Sequence, residues 1–542
     1  MKNTLYLRIL VAVITFAGAG LSSLSAQVNT LYYMKSVVTR HELNPSFQPL
    51  PNSYSAFLPV LSGLYVNVNN NSLNLDDLLS PRQIDGNYKT AWFYSDANSI
   101  DDFYQRMKTN TQIYTENSIN LYSFGIRILD KSYITVGLNT KVNAGVFIPK
   151  DLARLLLYGT SEPEKVNSFN LDRFGIRANA YTELALGYSQ EIDSKLTVGG
   201  KLKLLAGHGN VTTKIDRFRL NASRERWNFD INGDVNISAP GIEYTLDERD
   251  RVDEFGLYKS KNFSAGDLSG GTGVAFDLGA NYKLLDDRLM VSAAVLDLGF
   301  IKWKGKNAVR VPINGSFEFE GMDITFEDGA ASWDEGYFDN VQDSIYYSAE
   351  YKPYMSKLAA KIILGAEYGI LDNKMSFGAL SKSTIVNKCL FQEITASFNY
   401  IQFDFFNASL SYSLLNGRFG TIGLGLGGRL GPFNLFFAGD YMPVKFAKGH
   451  IPYKNQAVNV QMGFLLNFGK RKARTEAIQP VPETVQPELE TIQSDLEVEQ
   501  TESEVEQTES EGEQTASEGE QTESEGEQTE SETTEEQNVD VE

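Results

Sequence analysis

The chain has 542 residues, 42% of them hydrophobic, with three histidines and a single cysteine, Cys389, so it holds no internal disulfide and few ligands for a His/Cys metal site. A mean hydropathy of -0.28 excludes a bundle of membrane helices but leaves room for a membrane β-barrel, in which only alternate residues meet lipid. Of the 49 basic and 70 acidic residues, 3 and 24 lie in residues 471–542, which leaves 46 of each sign in the body and no basic excess for nucleic acid.

The N-terminus carries Lys2 and Arg8, an apolar run from Ile9 to Ala19, and small residues from Ser22 to Ala26. This pattern predicts a secretory signal peptide over residues 1–26, cleaved after about Ala26. The apolar run is too short to span a bilayer comfortably, and no cysteine at the cleavage point offers a lipid anchor. Residues 27–53 follow, and Pro45, Pro49 and Pro51 discourage regular structure there. The segment is a tether or a plug; Leu31, Tyr32, Tyr33, Met34 and Phe47 favour the plug, being too apolar for a free linker.

Residues 54–470 show repeated period-two alternation. In Ala408–Leu414 the apolar set Ala408, Leu410, Tyr412 and Leu414 alternates with Ser409, Ser411 and Ser413. Val458, Val460, Met462, Phe464, Leu466 and Phe468 alternate with Asn459, Gln461, Gly463 and Asn467. One face of each strand is therefore apolar and the other wet. Fourteen strands are predicted, beginning near Tyr54, Asn120, Tyr133, Phe174, Lys195, Thr272, Leu289, Lys357, Lys374, Phe391, Phe405, Phe419, Phe433 and Ala457. Short turns at Asp130-Lys131, Asp193-Ser194, Asp286-Asp287, Asp372-Asn373 and Gly431-Pro432 alternate with connections that are mostly long, at residues 70–118, 149–173, 209–271, 304–356 and 442–456. Short turns on one rim and long loops on the other mark an outer-membrane barrel rather than a soluble sandwich. The expected fold is all-β: a transmembrane antiparallel up-and-down barrel of about fourteen strands (range 12–16), with an N-terminal plug-like segment, a disordered C-terminal tail and both termini periplasmic.

Two helices are predicted in the long connections. One begins at Ser99 and places Ile100, Phe103, Tyr104 and Met107 on one face. The other spans Lys150–Tyr158, gathers Leu152, Leu155 and Leu156, and stops at Gly159. They are rim-packed loop helices or, on a sharper reading, a lid or a contact for lipophilic ligands. After Phe468, prolines at 480, 482 and 487 lead into a seven-residue acidic repeat of the form Ser-Glu-Gly-Glu-Gln-Thr-Glu. No repeat position is apolar throughout, so residues 471–542 are expected to be an extended disordered tail, either a solvated spacer or a contact for a periplasmic or envelope protein.

Sites are fewer. Gly423, Gly425 and Gly428 fit a dinucleotide-binding spacing, but they lie inside an alternating strand, where small residues make room for a plug or a curved wall. The histidines His41, His208 and His450 have no nucleophile and acid placed beside them, so no catalytic, cofactor or metal site is expected. By parity Arg127, Lys141, Arg177, Glu183, Lys201, Lys203, Asp277, Lys283, Glu367 and Arg429 face the lumen. They either pair across the interior and brace the barrel or line a selective constriction.

Three segments carry a family resemblance: His41-Glu-Leu-Asn44-Pro45-Ser-Phe47, Glu183-Leu-Ala-Leu-Gly-Tyr188 and Asp297-Leu-Gly-Phe300-Ile-Lys-Trp303. They resemble the uncharacterised outer-membrane barrels common in Bacteroidetes. Those are distantly similar to long-chain fatty-acid transporter barrels, and some are partners of the gliding and type IX secretion machinery. Over residues 27–470 the resemblance implies a fourteen-stranded barrel with an N-terminal plug; it supplies no catalytic residues and does not include the tail. Two functions follow: a conduit for small or lipophilic molecules across the outer membrane, or a non-transporting barrel that anchors an envelope assembly through its loops and tail. Outer-membrane lipid is the expected surrounding of either.

Overall fold

A computed structural model describes residues 29–49 and most of 54–468, leaving out 58–63, 73–78, 85–86, 93–96, 160–166, 258–268, 320–323, 328–329, 334–347, 443–457 and isolated turn positions. The predicted signal peptide and acidic tail lie outside the described residues.

The strands form one closed antiparallel ring. In chain order it comprises β1 (Tyr54–Phe57 and Leu64–Asn70), β2 (Asn110–Ile128), β3 (Ser132–Pro149), β4 (Gly175–Glu191), β5 (Leu196–Ala222), β6 (Gly271–Leu284) and β7 (Leu289–Trp303). It continues through β8 (Tyr354–Lys357 and Ala360–Ile370), β9 (Met375–Val386), β10 (Cys389–Phe403), β11 (Phe406–Leu415), β12 (Arg418–Leu430), β13 (Phe433–Met442) and β14 (Val458–Phe468). Closure is direct: β1 pairs on one side with β14, Tyr54 opposite Phe468, and on the other with β2, Tyr54 opposite Ile126. Among the described residues each strand of the ring is paired on both sides, the arrangement that satisfies backbone groups without water.

Alternation sets the two faces. In β11, Ser409, Ser411 and Ser413 turn inward and are buried, whereas Leu410 and Tyr412 point outward and stay about half exposed, at 54% and 46%. The same apolar exterior recurs at Leu202 and Leu204, Leu278, Leu364, Phe377 and Leu435. Such a belt of apolar side chains around a closed ring with a polar inner wall is the surface a bilayer solvates. Among the described residues no helix is long and apolar enough to cross a membrane. The tight turns use left-handed backbone where Asp and Asn tolerate it: Asp286 and Asp287 have φ 54° and 65°, Asp372 and Asn373 56° and 62°, and Gly431 60°.

Two strand boundaries differ from the sequence reading. β2 starts at Asn110, not near Asn120, because its first, loop-ward half carries polar residues on both faces and gives no alternation signal. β5 runs on to Ala222, and its outer half pairs with a strand at Trp227–Ser238, which pairs in turn with Ala308–Phe319. The expected loops at 209–271 and 304–356 thus hold a sheet that prolongs the ring, and its strands keep the alternation: Phe229, Ile231, Val235 and Ile237 share a face with Val309, Val311 and Phe317, while Asp230, Asp234, Arg310 and Glu318 take the other. The helices α1 (Ala97–Arg106) and α2 (Lys150–Tyr158) pack on each other: Phe103 of the first and Met107 just after it meet Ala153 and Leu157 of the second. Leu152 and Leu155 reach Phe169, Leu171 and Leu220, but Leu156 is exposed rather than grouped with them.

Candidate functional site

A ring of fourteen strands encloses more space than its wall side chains fill. The first share of that space is taken by the N-terminal segment. Two short 3-10 turns, Asn29–Tyr33 and Val38–Glu42, carry Leu31, Tyr32, Tyr33 and Met34 into a buried cluster with Leu296, Ile363, Leu380, Phe436 and Leu465 of the wall. Rings Tyr32 and Phe47 meet edge-to-face at 4.9 Å, and the Arg40 guanidinium lies 4.3 Å over Phe47. Arg40 Nε donates to the Tyr32 carbonyl at 2.8 Å, so the segment is bound to itself as well as to the wall.

Glycines of the wall form the seat. A Cβ on Gly365 would stand 2.7 Å from the Tyr32 ring, one on Gly378 2.5 Å from the Tyr33 ring, and one on Gly425 2.5 Å from Met34 Sδ. Gly199 and Gly279 back onto Pro45 and Asn44. The dinucleotide-like glycines 423 and 425 therefore serve the close approach of the plug, with Thr30 and Met34 against them. Polar bonds fix the position. Tyr32 Oη bonds Ser292 at 2.9 Å, and Tyr33 Oη donates to the Ala366 carbonyl at 3.1 Å. Asn44 Nδ2 donates to the carbonyls of Ala280 and Ala293, and its Oδ1 accepts from Ser46 N–H at 3.0 Å. At the short-turn rim Arg127 donates to Gln48 Oε1 at 2.6 Å and to the Pro49 carbonyl at 2.9 Å, holding the last turn before β1.

Beside the plug lies an ionic cluster made by the wall alone. Lys141 sits 3.0 Å from Glu183 and 3.5 Å from Asp297. Lys203 sits 2.7 Å from Asp277 and 2.6 Å from Asp297. Lys361 sits 2.5 Å from Glu116 and 3.5 Å from Asp297. All seven side chains are buried. Asp297 is the hub, held at φ 56° where the register between β6 and β7 shifts, with its N–H donating to Asp277 Oδ1 at 2.7 Å. That bulge turns both Leu296 and Asp297 inward. Lys201 Nζ lies 2.9 Å from His41 Nδ1, a contact between wall and plug. A cavity of about 30 Å³, lined by Thr39, Glu42, Asn120, Lys141, Glu183, Lys201 and Lys203, separates cluster from plug, with room for about one water.

Of the ten residues that parity turns inward, Lys141, Glu183, Lys201, Lys203 and Asp277 come together in and beside this cluster. Glu367 stands apart, bonded to Lys35 of the plug at 3.0 Å and to Ser376 at 2.7 Å. Arg127 grips the end of the plug, and Arg177 donates to the Lys357 carbonyl. Lys283 and Arg429 stand at the short-turn rim, the first paired with Asp287 at 2.9 Å and 41% exposed, the second donating to Gly431 O. Both obey inward parity, yet sit at strand ends beyond the enclosed length of the ring. His208 bonds Thr182, and His450 lies outside the described residues.

Parity alone misses several members. Asp297 is hidden by the bulge, and Glu116 by the segment read as a loop. Lys361, Lys382 and Glu393 are legible by parity from their outward neighbours Ile362, Ile385 and Ile394.

Fold and interior together define a plugged antiparallel β-barrel with an apolar outer belt. The chain belongs to DUF5723, a family of unknown function, whose model matches residues 45–440. No curated protein matches it. Solved structures with a similar fold include the P. putida toluene transporter TodX, at 10% identity over 82% of this chain and 96% of that one, TM-score 0.34. A Pseudomonas aeruginosa FadL homologue matches at 10% identity over 82% and 100%, TM-score 0.34, and the CymD monoaromatic hydrocarbon channel at 8% over 80% and 94%, TM-score 0.30. At such identity and superposition these matches do not bear on substrate.

Proposed function

We propose that the protein is a bacterial outer-membrane barrel serving as a conduit for small or lipophilic molecules, closed in this state by its own N-terminal segment. The observation that carries the reading is the glycine seat. Six wall positions forgo a side chain where Thr30, Tyr32, Tyr33, Met34, Asn44 and Pro45 lie, so the filling of the lumen is a separable piece joined to β1 at one end. A lumen meant only as a solid core is filled by wall side chains in a smaller ring. The even strand count puts both ends of the ring at the short-turn rim, consistent with periplasmic termini. The test is conductance in planar bilayers. The intact chain is expected to be nearly silent, and deletion of residues 29–49 to give stepwise conductance; silence of a correctly folded deletion variant sinks the reading.

A second reading has its own support. The enclosed cavity beside the plug is only about 30 Å³, and ion pairs tie β2, β3, β5, β6, β7 and β8 together across the interior. Those are properties of a rigid anchor, which would engage an envelope assembly through its loops and acidic tail. Isolation from native membranes discriminates: a stoichiometric envelope protein lost on removal of residues 471–542 supports the anchor, and copurifying lipophilic ligand supports the conduit.

A further inference from the structure

A second cavity, of about 600 Å³, lies on the long-loop side of the lumen, and no residue of the plug lines it. Phe147, Phe174, Ile215, Tyr354 and Met355 give it an apolar wall. Its charges do not balance. Asp172 holds Arg219 at 2.6 Å and Asp216 holds Lys214 at 3.2 Å, which leaves Arg173 of the lining over. Arg173 donates to the Asn110 amide oxygen at 2.7 Å and has no carboxylate within ion-pair distance among the described residues. Arg177 is a second such cation, at the floor. Gly175, two residues away on the same face of β4, and Thr212, its cross-strand partner on β5, both line the cavity. The Arg177 guanidinium donates to the Lys357 carbonyl, and among the described residues no carboxylate pairs with it. A third feature lies on the same row. Tyr114, Gly145 and Arg177 stand in direct register across β2, β3 and β4. A Cβ on Gly145 would stand 3.3 Å from the Tyr114 ring, so the ring leans over the glycine toward Arg177. Tyr114 is 5% exposed, yet its Oη has no hydrogen-bond partner, which a group so buried ordinarily finds. Below this row the lumen is shut, because Tyr181, four residues on along β4, packs with Leu205, Trp303 and Leu358.

We propose that this cavity is a binding site for a small organic carboxylate with a compact apolar body. The free edge of the Arg177 fork and the Tyr114 hydroxyl supply donors for the two carboxylate oxygens, and the exposed Arg173 adds a second positive charge. The aromatic and aliphatic wall takes the body. The closed layer beneath sets the size, since a long chain has no slot to follow downward. The inference deepens the conduit reading by naming a substrate class, and it rests on that reading for its purpose. Binding is read with the plug in place, so a silent plug deletion sinks the conduit and leaves the site, whereas failed binding sinks the site and leaves the conduit.

The test is equilibrium dialysis of the full-length barrel in lipid nanodiscs against 2-naphthoate, with empty nanodiscs as the blank. Saturable uptake of one 2-naphthoate per barrel is expected, with the neutral analogue 2-naphthylmethanol at least tenfold weaker. Arg177→Gln is expected to weaken 2-naphthoate about tenfold or more, the loss of a charge-assisted contact, and Tyr114→Phe about threefold. Arg429→Gln at the short-turn rim is expected to change nothing. The absence of saturable uptake, an alcohol bound as tightly as the acid, or an Arg177→Gln barrel that binds like the parent overturns the proposal. Should Arg177→Gln not fold, Arg173→Gln on the exposed turn and Tyr114→Phe decide it, and unchanged binding in both overturns it.

Discussion

The lumen is filled in two ways that behave differently. Along β5 to β13 a separate segment lies in glycine notches and is held by aromatic packing, hydrogen bonds and one ion pair, Lys35 to Glu367. Beside it the wall from β2 to β8 fills its own space with charges, and Asp297 alone faces Lys141, Lys203 and Lys361. The first arrangement can be taken apart without breaking the ring. The second cannot, because each buried cation depends on a carboxylate from another strand. The contrast teaches where motion is possible: at the plug, not at the wall.

The largest expected effect comes from breaking the wall side. Asp297→Ala removes the shared carboxylate and leaves Lys141 with Glu183, Lys203 with Asp277 and Lys361 with Glu116; removing one member of a buried ionic group costs about 3–5 kcal/mol. Urea unfolding of the detergent-solubilised or lipid-embedded barrel should show a clear drop in midpoint. An unchanged midpoint means that the cluster is hydrated and does not brace the ring. The plug side should respond in the opposite sense, with an intact ring and a loosened filling. Gly199→Ala drives a Cβ into the backbone of Pro45, which has no rotamer by which to yield, whereas at Gly137 the nearest atom is 3.9 Å away. The first change is expected to cost the seated plug about 1–3 kcal/mol, by the usual penalty for overpacking, and the second close to nothing. Tryptic accessibility of Arg40 and channel conductance both read the difference. Equal behaviour of the two variants breaks the idea of a fitted seat.

A smaller effect is expected at Asn44, whose amide is bonded on both ends: to the wall carbonyls of Ala280 and Ala293 and to Ser46. Asn44→Ala strands those groups for about 1–2 kcal/mol. Plug release measured by proteolysis should rise while the urea midpoint of the ring stays put; a fall in that midpoint would mean that plug and wall unfold as one unit.

Much of this was legible in the sequence because lipid enforces a period of two. The alternation in β11 and β14 fixed inward and outward faces, and the apolar character of Leu31, Tyr32 and Tyr33 marked a segment that needs a buried home. Legibility failed where that constraint lapses. The first half of β2 carries polar residues on both faces, so Glu116 was hidden inside a supposed loop. The outer half of β5 looked like a connection because a bulge at Asp216 slips its parity, from Val211, Thr213 and Ile215 to Phe218, Leu220 and Ala222. At Asp297 the rule itself breaks, because a bulge slips the parity by one residue and presents two consecutive side chains to the lumen. Period-two reasoning has no term for depth along the strand either, and that is the difference between Lys203 and Lys283.

Those two lysines make the finest test of the comparison. They obey the same inward parity on neighbouring strands, yet Lys203 is buried between Asp277 and Asp297, and Lys283 is 41% exposed beside Asp287 at the short-turn rim. An exposed pair gains little in water and is screened by salt, so Lys283→Ala should change the urea midpoint by no more than the equivalent of about 0.5 kcal/mol, and less still at high ionic strength. Lys203→Ala leaves two facing carboxylates buried and belongs with Asp297→Ala in size. Equal losses for the two lysines would show that the enclosed length of the ring extends to its rim, and the division between a bracing cluster and solvated ends would have to be redrawn.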